Sequence, residues 1–98
     1  MKTFVLTSTA KGDIRNILDF LTTESPAAAI RVRAALRNAM RLLADRPGIG
    51  HLRTDLADET IRFWPVFSYL VIYRPDTNPV QIIRVLHGKR DVRRLLEE

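Results

Sequence analysis

The opening segment Lys2–Ser8 alternates, with Phe4 and Leu6 on one face and Thr3, Val5 and Thr7 on the other. Period two in a stretch rich in β-branched and aromatic residues predicts a strand. Ser8 or Thr9 then offers a hydroxyl to the free N–H groups at a helix start. Beyond it Ile14, Ile17, Leu18 and Leu21 recur at i, i+3, i+4 and i+7, one apolar stripe of a first helix whose first turn Gly12 weakens. The stripe fails at Thr22–Glu24. Ser25-Pro26 restarts it, a cap followed by proline at the first helical position, where no N–H bond is lost.

A second helix runs from about Pro26 to Asp45, with Ala28, Val32, Ala35, Ala39 and Leu42, flanked by Leu36 and Leu43, facing the core. The short connection makes the two helices an antiparallel hairpin. Arg46-Pro47-Gly48-Ile49-Gly50 is loop chemistry, and the linker through Glu59, with Asp55, Asp58 and Glu59, reads as solvated. The period then changes from 3.6 to 2. Thr60–Pro65, Tyr69–Arg74 and Val80–His87 read as strands, with Pro75–Pro79 a turn between the last two. Tyr69–Tyr73 is apolar on both faces, as a central strand covered on both sides should be. Gly88 stops the last strand, and Lys89–Leu96 forms a short helix with Val92, Leu95 and Leu96 inward and Arg90, Arg93 and Arg94 outward. The fold class is α+β: β-α-α-β-β-β order, a helical hairpin on a mostly antiparallel sheet, a short C-terminal helix, and a single domain spanning 1–98.

Composition narrows the chemistry. Hydrophobic residues make up 46% of 98, enough for one core, and cysteine is absent, which removes disulfides, thiolate nucleophiles and cysteine-ligated metals. The net charge is +5, carried by thirteen Arg and three Lys. Arg presents a planar fork suited to carboxylates and phosphates, so an anionic partner is expected. The longest uncharged run, Phe63–Tyr73, contains Pro65 and is too short to span a bilayer, and Met1–Ala10 lacks an export signal. The expected location is the cytoplasm.

Enzyme signatures are sparse. His51 and His87 are the only histidines and are far apart, so neither a metal site nor a cofactor is expected. On the strands lie Arg62, Trp64, Tyr69, Tyr73, Arg74, Arg84 and His87, a set able to grip a phosphate backbone, stack on bases or receive an acidic peptide. Trp64 and Tyr69 read equally as core or rim aromatics. Arg84, a charge inside an apolar strand, needs a partner or an opening to solvent. A metal-free ribonuclease reading would use His87 for proton transfer, Arg62 and Arg84 for phosphate, and Tyr73 as the acid. No second convincing proton donor follows His87, so the constellation is incomplete.

The segments Ile61-Arg62-Phe63-Trp64-Pro65-Val66, Tyr69-Leu70-Val71-Ile72-Tyr73-Arg74 and, above all, Ile82-Ile83-Arg84-Val85-Leu86-His87-Gly88-Lys89-Arg90-Asp91-Val92 resemble the ParE branch of the RelE/ParE toxin superfamily. The two-helix pattern and Leu43-Ala44-Asp45-Arg46-Pro47-Gly48-Ile49-Gly50 extend the resemblance over essentially the whole chain. It implies the toxin of a type II toxin–antitoxin pair with a role in plasmid stabilisation. RelE-like members cut messenger RNA at the ribosome with basic residues plus a tyrosine, or a histidine and glutamate. ParE-like members lack that set and poison DNA gyrase.

This chain has Gly88 after His87, where the nucleases tend to carry an aromatic, and no Glu on a predicted strand. Both departures favour a non-catalytic gyrase inhibitor over a ribosome-dependent endoribonuclease, which is the alternative. The implied partner is an acidic ParD-type antitoxin that wraps the toxin and alone brings it to DNA, in a hetero-oligomer. The expected antitoxin-binding residues are Arg33, Arg37, Arg41, Arg53, Arg62, Trp64 and Arg74, the first three a stripe on one helix. The expected target-binding residues are His87, Lys89 and Arg90. A basic domain of this kind steers an acidic segment that folds on binding, and alone it exposes an apolar strip.

Overall fold

The computed structural model describes residues 3–97. Its elements run β1 (Phe4–Leu6), α1 (Ser8–Glu24), α2 (Pro26–Asp45), a 3-10 turn at Pro47–Ile49, β2 (Arg62–Val66), β3 (Tyr69–Arg74), β4 (Val80–His87) and α3 (Val92–Glu97). The α+β order matches the sequence reading. The sheet order is β1-β4-β3-β2, with β1 parallel to β4 and the remaining pairs antiparallel. Among the described residues no helix is long and apolar enough to cross a membrane.

The predicted first strand shortens to three residues, and Lys2 lies outside the described residues. The cap moves as well. Thr7, not Ser8 or Thr9, begins α1: its Oγ1 accepts the Ala10 N–H at 3.0 Å and donates to the Ile83 carbonyl at 2.9 Å. Strand and helix therefore share one residue, and that residue also ties them to β4. At the other end of α1, Ser25 serves both helices. Its N–H closes α1 on the Leu21 carbonyl at 2.6 Å, and its hydroxyl accepts the Ala28 N–H at 3.3 Å. The one-residue hinge explains why α1 continues through Thr22–Glu24 despite the broken stripe.

The helix α2 has the predicted limits but a shifted inner face. Ala29, Val32, Leu36, Ala39, Met40, Leu43 and Ala44 are buried, Ala28 and Ala35 only half-buried, and Leu42 exposed. The cause is that α2 packs on α1 and on the sheet together, so its buried arc is wide and centred on Leu36.

Two hydrophobic layers cover the sheet. On one face α1 and α2 pack on Val66, Val71, Tyr73, Val80, Ile82 and Val85. On the other, Phe63, Ile72 and Leu86 are closed over by Ile61, Val92, Leu56, Ala57, Leu95 and Leu96. The 51–61 linker is thus only partly solvated. Asp55, Asp58 and Glu59 are exposed as expected, but Leu56 and Ala57 turn in as a lid on the second layer. Both central strands are covered on two faces, which fits their near-continuous apolar sequence.

Because β1 is short and β4 is long, the edge of β4 beyond Ile82 lacks a strand partner. Side chains from α1 replace it. Thr7 takes the Ile83 carbonyl, and Asp13 Oδ2 accepts the Val85 N–H at 3.0 Å. The same carboxylate holds Arg84 through two bonds, 2.8 and 2.9 Å, while Arg84 also donates to the Leu95 carbonyl at 3.2 Å. Asp13 and Arg84 thereby join α1, β4 and α3 at one point.

Candidate functional site

The surface best suited to a partner is a trough formed by β1 and the helical hairpin. Two adjoining hollows of about 320 and 220 Å³ share Leu18 and Arg33. Leu18, Pro26, Ala29 and Ile30 floor one end, and Phe4, Leu6, Ile14 and Met40 the other. Ile30 is 71% exposed, an apolar side chain that the fold itself does not cover. Arg33 and Arg37, one helical turn apart, stand along the trough, and neither forms an ion pair among the described residues. An apolar floor with an unneutralised cationic wall accepts an amphipathic acidic segment. The open backbone edge of β1 adjoins the same trough.

The sequence-derived antitoxin set does not form one surface. Arg33, Arg37 and Arg41 are exposed along α2 as the four-residue spacing requires. Arg62 and Trp64 sit instead on β2, at the opposite edge of the sheet from β1. Arg62 donates to the Gly50 carbonyl at 3.0 Å, and Trp64 stacks on His51 with rings 5.8 Å apart and 7° from parallel. His51 is held there by paired backbone bonds to Phe63, 2.8 and 2.9 Å. Arg53 is bound to Asp55 by two bonds, 3.0 and 2.9 Å, which hold the Asp55 carboxyl below its ordinary range. Arg74 is half-buried at the end of β3. Helical spacing was sufficient for the α2 stripe. The rest depended on which strand became an edge.

The four residues of the nuclease set are not assembled either. Tyr73 is fully buried: its hydroxyl donates to the Pro47 carbonyl at 2.6 Å and accepts the Gly50 N–H at 2.9 Å. Burial pushes the phenol above its ordinary pKa, against the lowering effects of the Gly50 N–H and the Arg62 charge. A proton donor must reach the departing oxygen, and Tyr73 has no path to solvent. Arg84 is committed to Asp13 and Leu95. Only His87 reaches the surface with a donor-acceptor ring, half-buried against Tyr69 in an edge-on contact at 5.4 Å, its Nδ1 accepting the Lys89 N–H at 3.1 Å. Tyr73 is thus a buried clamp and Arg84 an ion-pair partner in this fold, arrangements that sequence could not tell from an open site.

The expected target set stays together. His87 ends β4, and Lys89 and Arg90 follow in an exposed turn. A larger hollow, about 570 Å³, lies elsewhere, between residues 54–59 and α3. Three of its four carboxylates are engaged locally: Asp55 with Arg53, Glu97 with Arg93, and Asp58 with the Thr60 hydroxyl and N–H, which together lower the Asp58 carboxyl. Asp13, Gly50 and Phe67 carry geometry that no motif announced. Asp13 looks like any solvated helix acid until β4 is laid beside it.

Comparison with known proteins agrees with this architecture. A family model described as "ParE toxin of type II toxin-antitoxin system, parDE" matches residues 4–92. A solved structure described as "Chromosomal ParDE TA system from P. aeruginosa" superposes with a TM-score of 0.72 at 17% identity, over 89% of this chain and 96% of that one. No curated protein gives a significant sequence match.

Proposed function

This chain belongs to the ParE toxin family of type II toxin–antitoxin systems, and from that premise we propose that it arrests growth by binding and inhibiting DNA gyrase. The observation that carries the non-catalytic reading is the fate of Tyr73 and Arg84. Burial removes the first from any substrate, and a carboxylate holds the second, so His87 has no accessible acid from that set beside it. A surface that occludes a macromolecule needs no such pair. His87 and the cations Lys89 and Arg90 remain its accessible end.

Neutralisation uses the other side of the molecule. An acidic ParD-type antitoxin lays an amphipathic segment into the β1–hairpin trough, apolar side chains on Leu18, Ile30 and Met40 and carboxylates on Arg33 and Arg37. Ile30, exposed at the trough, is the apolar side chain such a segment would cover.

Two assays with the purified full chain test the reading. With gyrase, ATP and plasmid, the chain should accumulate cleaved DNA. With programmed ribosomes it should leave messenger RNA intact. Ribosome-dependent cleavage abolished by His87→Ala, with gyrase unaffected, would overturn the proposal in favour of the endoribonuclease. For the trough, Arg33→Glu with Arg37→Glu should weaken antitoxin binding by roughly tenfold or more, because like charges then face each other. Unchanged affinity removes the trough from the interface.

A further inference from the structure

Phe67 is the least explained side chain of the fold. It opens the two-residue turn between β2 and β3, followed by Ser68, and its backbone sits at φ 53°. That left-handed position in a tight hairpin favours glycine or asparagine, and a bulky aromatic there is disfavoured. The ring does not compensate by packing, since Phe67 is 69% exposed. A residue that strains its own turn and contributes no core has the profile of a group serving a contact outside the chain.

Its surroundings indicate what that contact is. The Ser68 carbonyl accepts the Gly88 N–H at 2.8 Å, which pins the hairpin tip to the end of β4. Tyr69 pairs in register with His87, and the Lys89 N–H bond to His87 Nδ1 turns Lys89 and Arg90 back at this same end. Lys89 and Arg90 are exposed and form no ion pair among the described residues. The nearest acid in sequence, Asp91, is turned to the Arg94 N–H at 3.3 Å.

We propose that this end of the sheet binds single-stranded nucleic acid directly, with an unpaired base stacked on Phe67 and the flanking phosphates on Lys89 and Arg90. A flat ring standing off a rigid turn fits the face of a base, and every base has one. The adjacent cations favour a polyanion over the apolar pocket of a protein. A paired base inside a duplex offers no free face, so the strand must be open. The inference does not depend on gyrase being the target, and it places a nucleic-acid contact on the toxin itself, independent of any antitoxin.

The test is fluorescence anisotropy of the full chain with labelled oligothymidine and oligouridine of about 12 nucleotides, and with an abasic strand of equal length. The intact protein should bind the base-bearing strands roughly tenfold more tightly than the abasic one. Phe67→Gly, which relieves the turn and so folds well, should lose that difference, whereas Phe67→Trp should keep it. Lys89→Gln with Arg90→Gln should reduce the salt dependence by about one to two phosphate contacts. A preference between the DNA and RNA strands would identify the source of the base while supporting the stack. Equal binding to abasic and base-bearing strands overturns the proposal, as does a Phe67→Gly variant that binds like the original. Loss of gyrase inhibition in Phe67→Gly with strand binding intact would also overturn it, because the ring would then contact protein. Absent gyrase inhibition with a normal oligonucleotide response would strike only the function proposed above.

Discussion

Removing the Asp13 carboxylate should be among the most damaging single changes outside the two hydrophobic layers. Asp13 and Arg84 are only 11% and 17% exposed, and their two bonds of 2.8 and 2.9 Å are charge-assisted and bidentate. In Asp13→Ala the Arg84 guanidinium is stranded in a mostly dry position with the Leu95 carbonyl as a remaining partner. Breaking a buried pair costs about 3–5 kcal/mol, and the residual exposure places this one near 3. The Val85 N–H loses its acceptor as well, about 1 kcal/mol more. A loss of about 3–4 kcal/mol is a large part of the ~5–15 kcal/mol that holds a domain together. It corresponds to a melting point lower by roughly 12–30 °C for a chain of this size.

Urea unfolding followed through Trp64, the single tryptophan, measures it. The decisive variant is the double replacement Asp13→Leu with Arg84→Met, which removes both charges and should recover about 2 kcal/mol relative to additivity. Because the pair is shielded, that coupling should persist in ~1 M salt, where exposed pairs are screened. A loss below about 1 kcal/mol for Asp13→Ala, or a coupling below about 0.5 kcal/mol, would refute the assignment of Asp13 as the acceptor closing the β4 edge.

Three further outcomes follow from the same geometry. In Gly50→Ala the new Cβ would collide with the hydroxyl of the fully buried Tyr73 ring, so the Pro47–Gly50 clamp must open, at about 2–4 kcal/mol by chemical denaturation. Since burial raises the Tyr73 phenol above its ordinary pKa, the folded chain holds that proton longer than the unfolded one. The contribution is intact below about pH 10 and is lost as pH rises from there through the folded-state value, so stability should fall less steeply above about pH 10 in Tyr73→Phe, a variant that is less stable at neutral pH. Absorbance of the phenolate tracks this: Tyr73 should ionise above the ordinary tyrosine range. Finally, Phe67→Gly should stabilise the chain by about 0.5–1 kcal/mol, the left-handed penalty outweighing the extra freedom of glycine in the unfolded state; a lower melting point would show that the ring packs in solution.

The α+β order, the limits of α2 and the limits of β3 and β4 were legible in the chain because each rests on local rules. Period 3.6 gave way to period 2, Ser25-Pro26 started a helix, and Pro75–Pro79 turned one strand into the next. The positive stripe Arg33, Arg37 and Arg41 was legible for the same reason, since a helix places every fourth residue on one side. Tertiary packing decided everything that required knowing who lies beside whom. That β1 runs beside β4 and stops after three residues left an edge for Asp13, 71 positions from Arg84 in sequence. The same packing buried Tyr73 beneath the Pro47–Gly50 turn, set Arg62 on the β2 edge apart from the α2 stripe and tied the Phe67-Ser68 turn to Gly88. Periodicity records which side of an element is apolar, whereas the fate of a charge or a hydroxyl depends on partners that only chain closure brings within 3 Å.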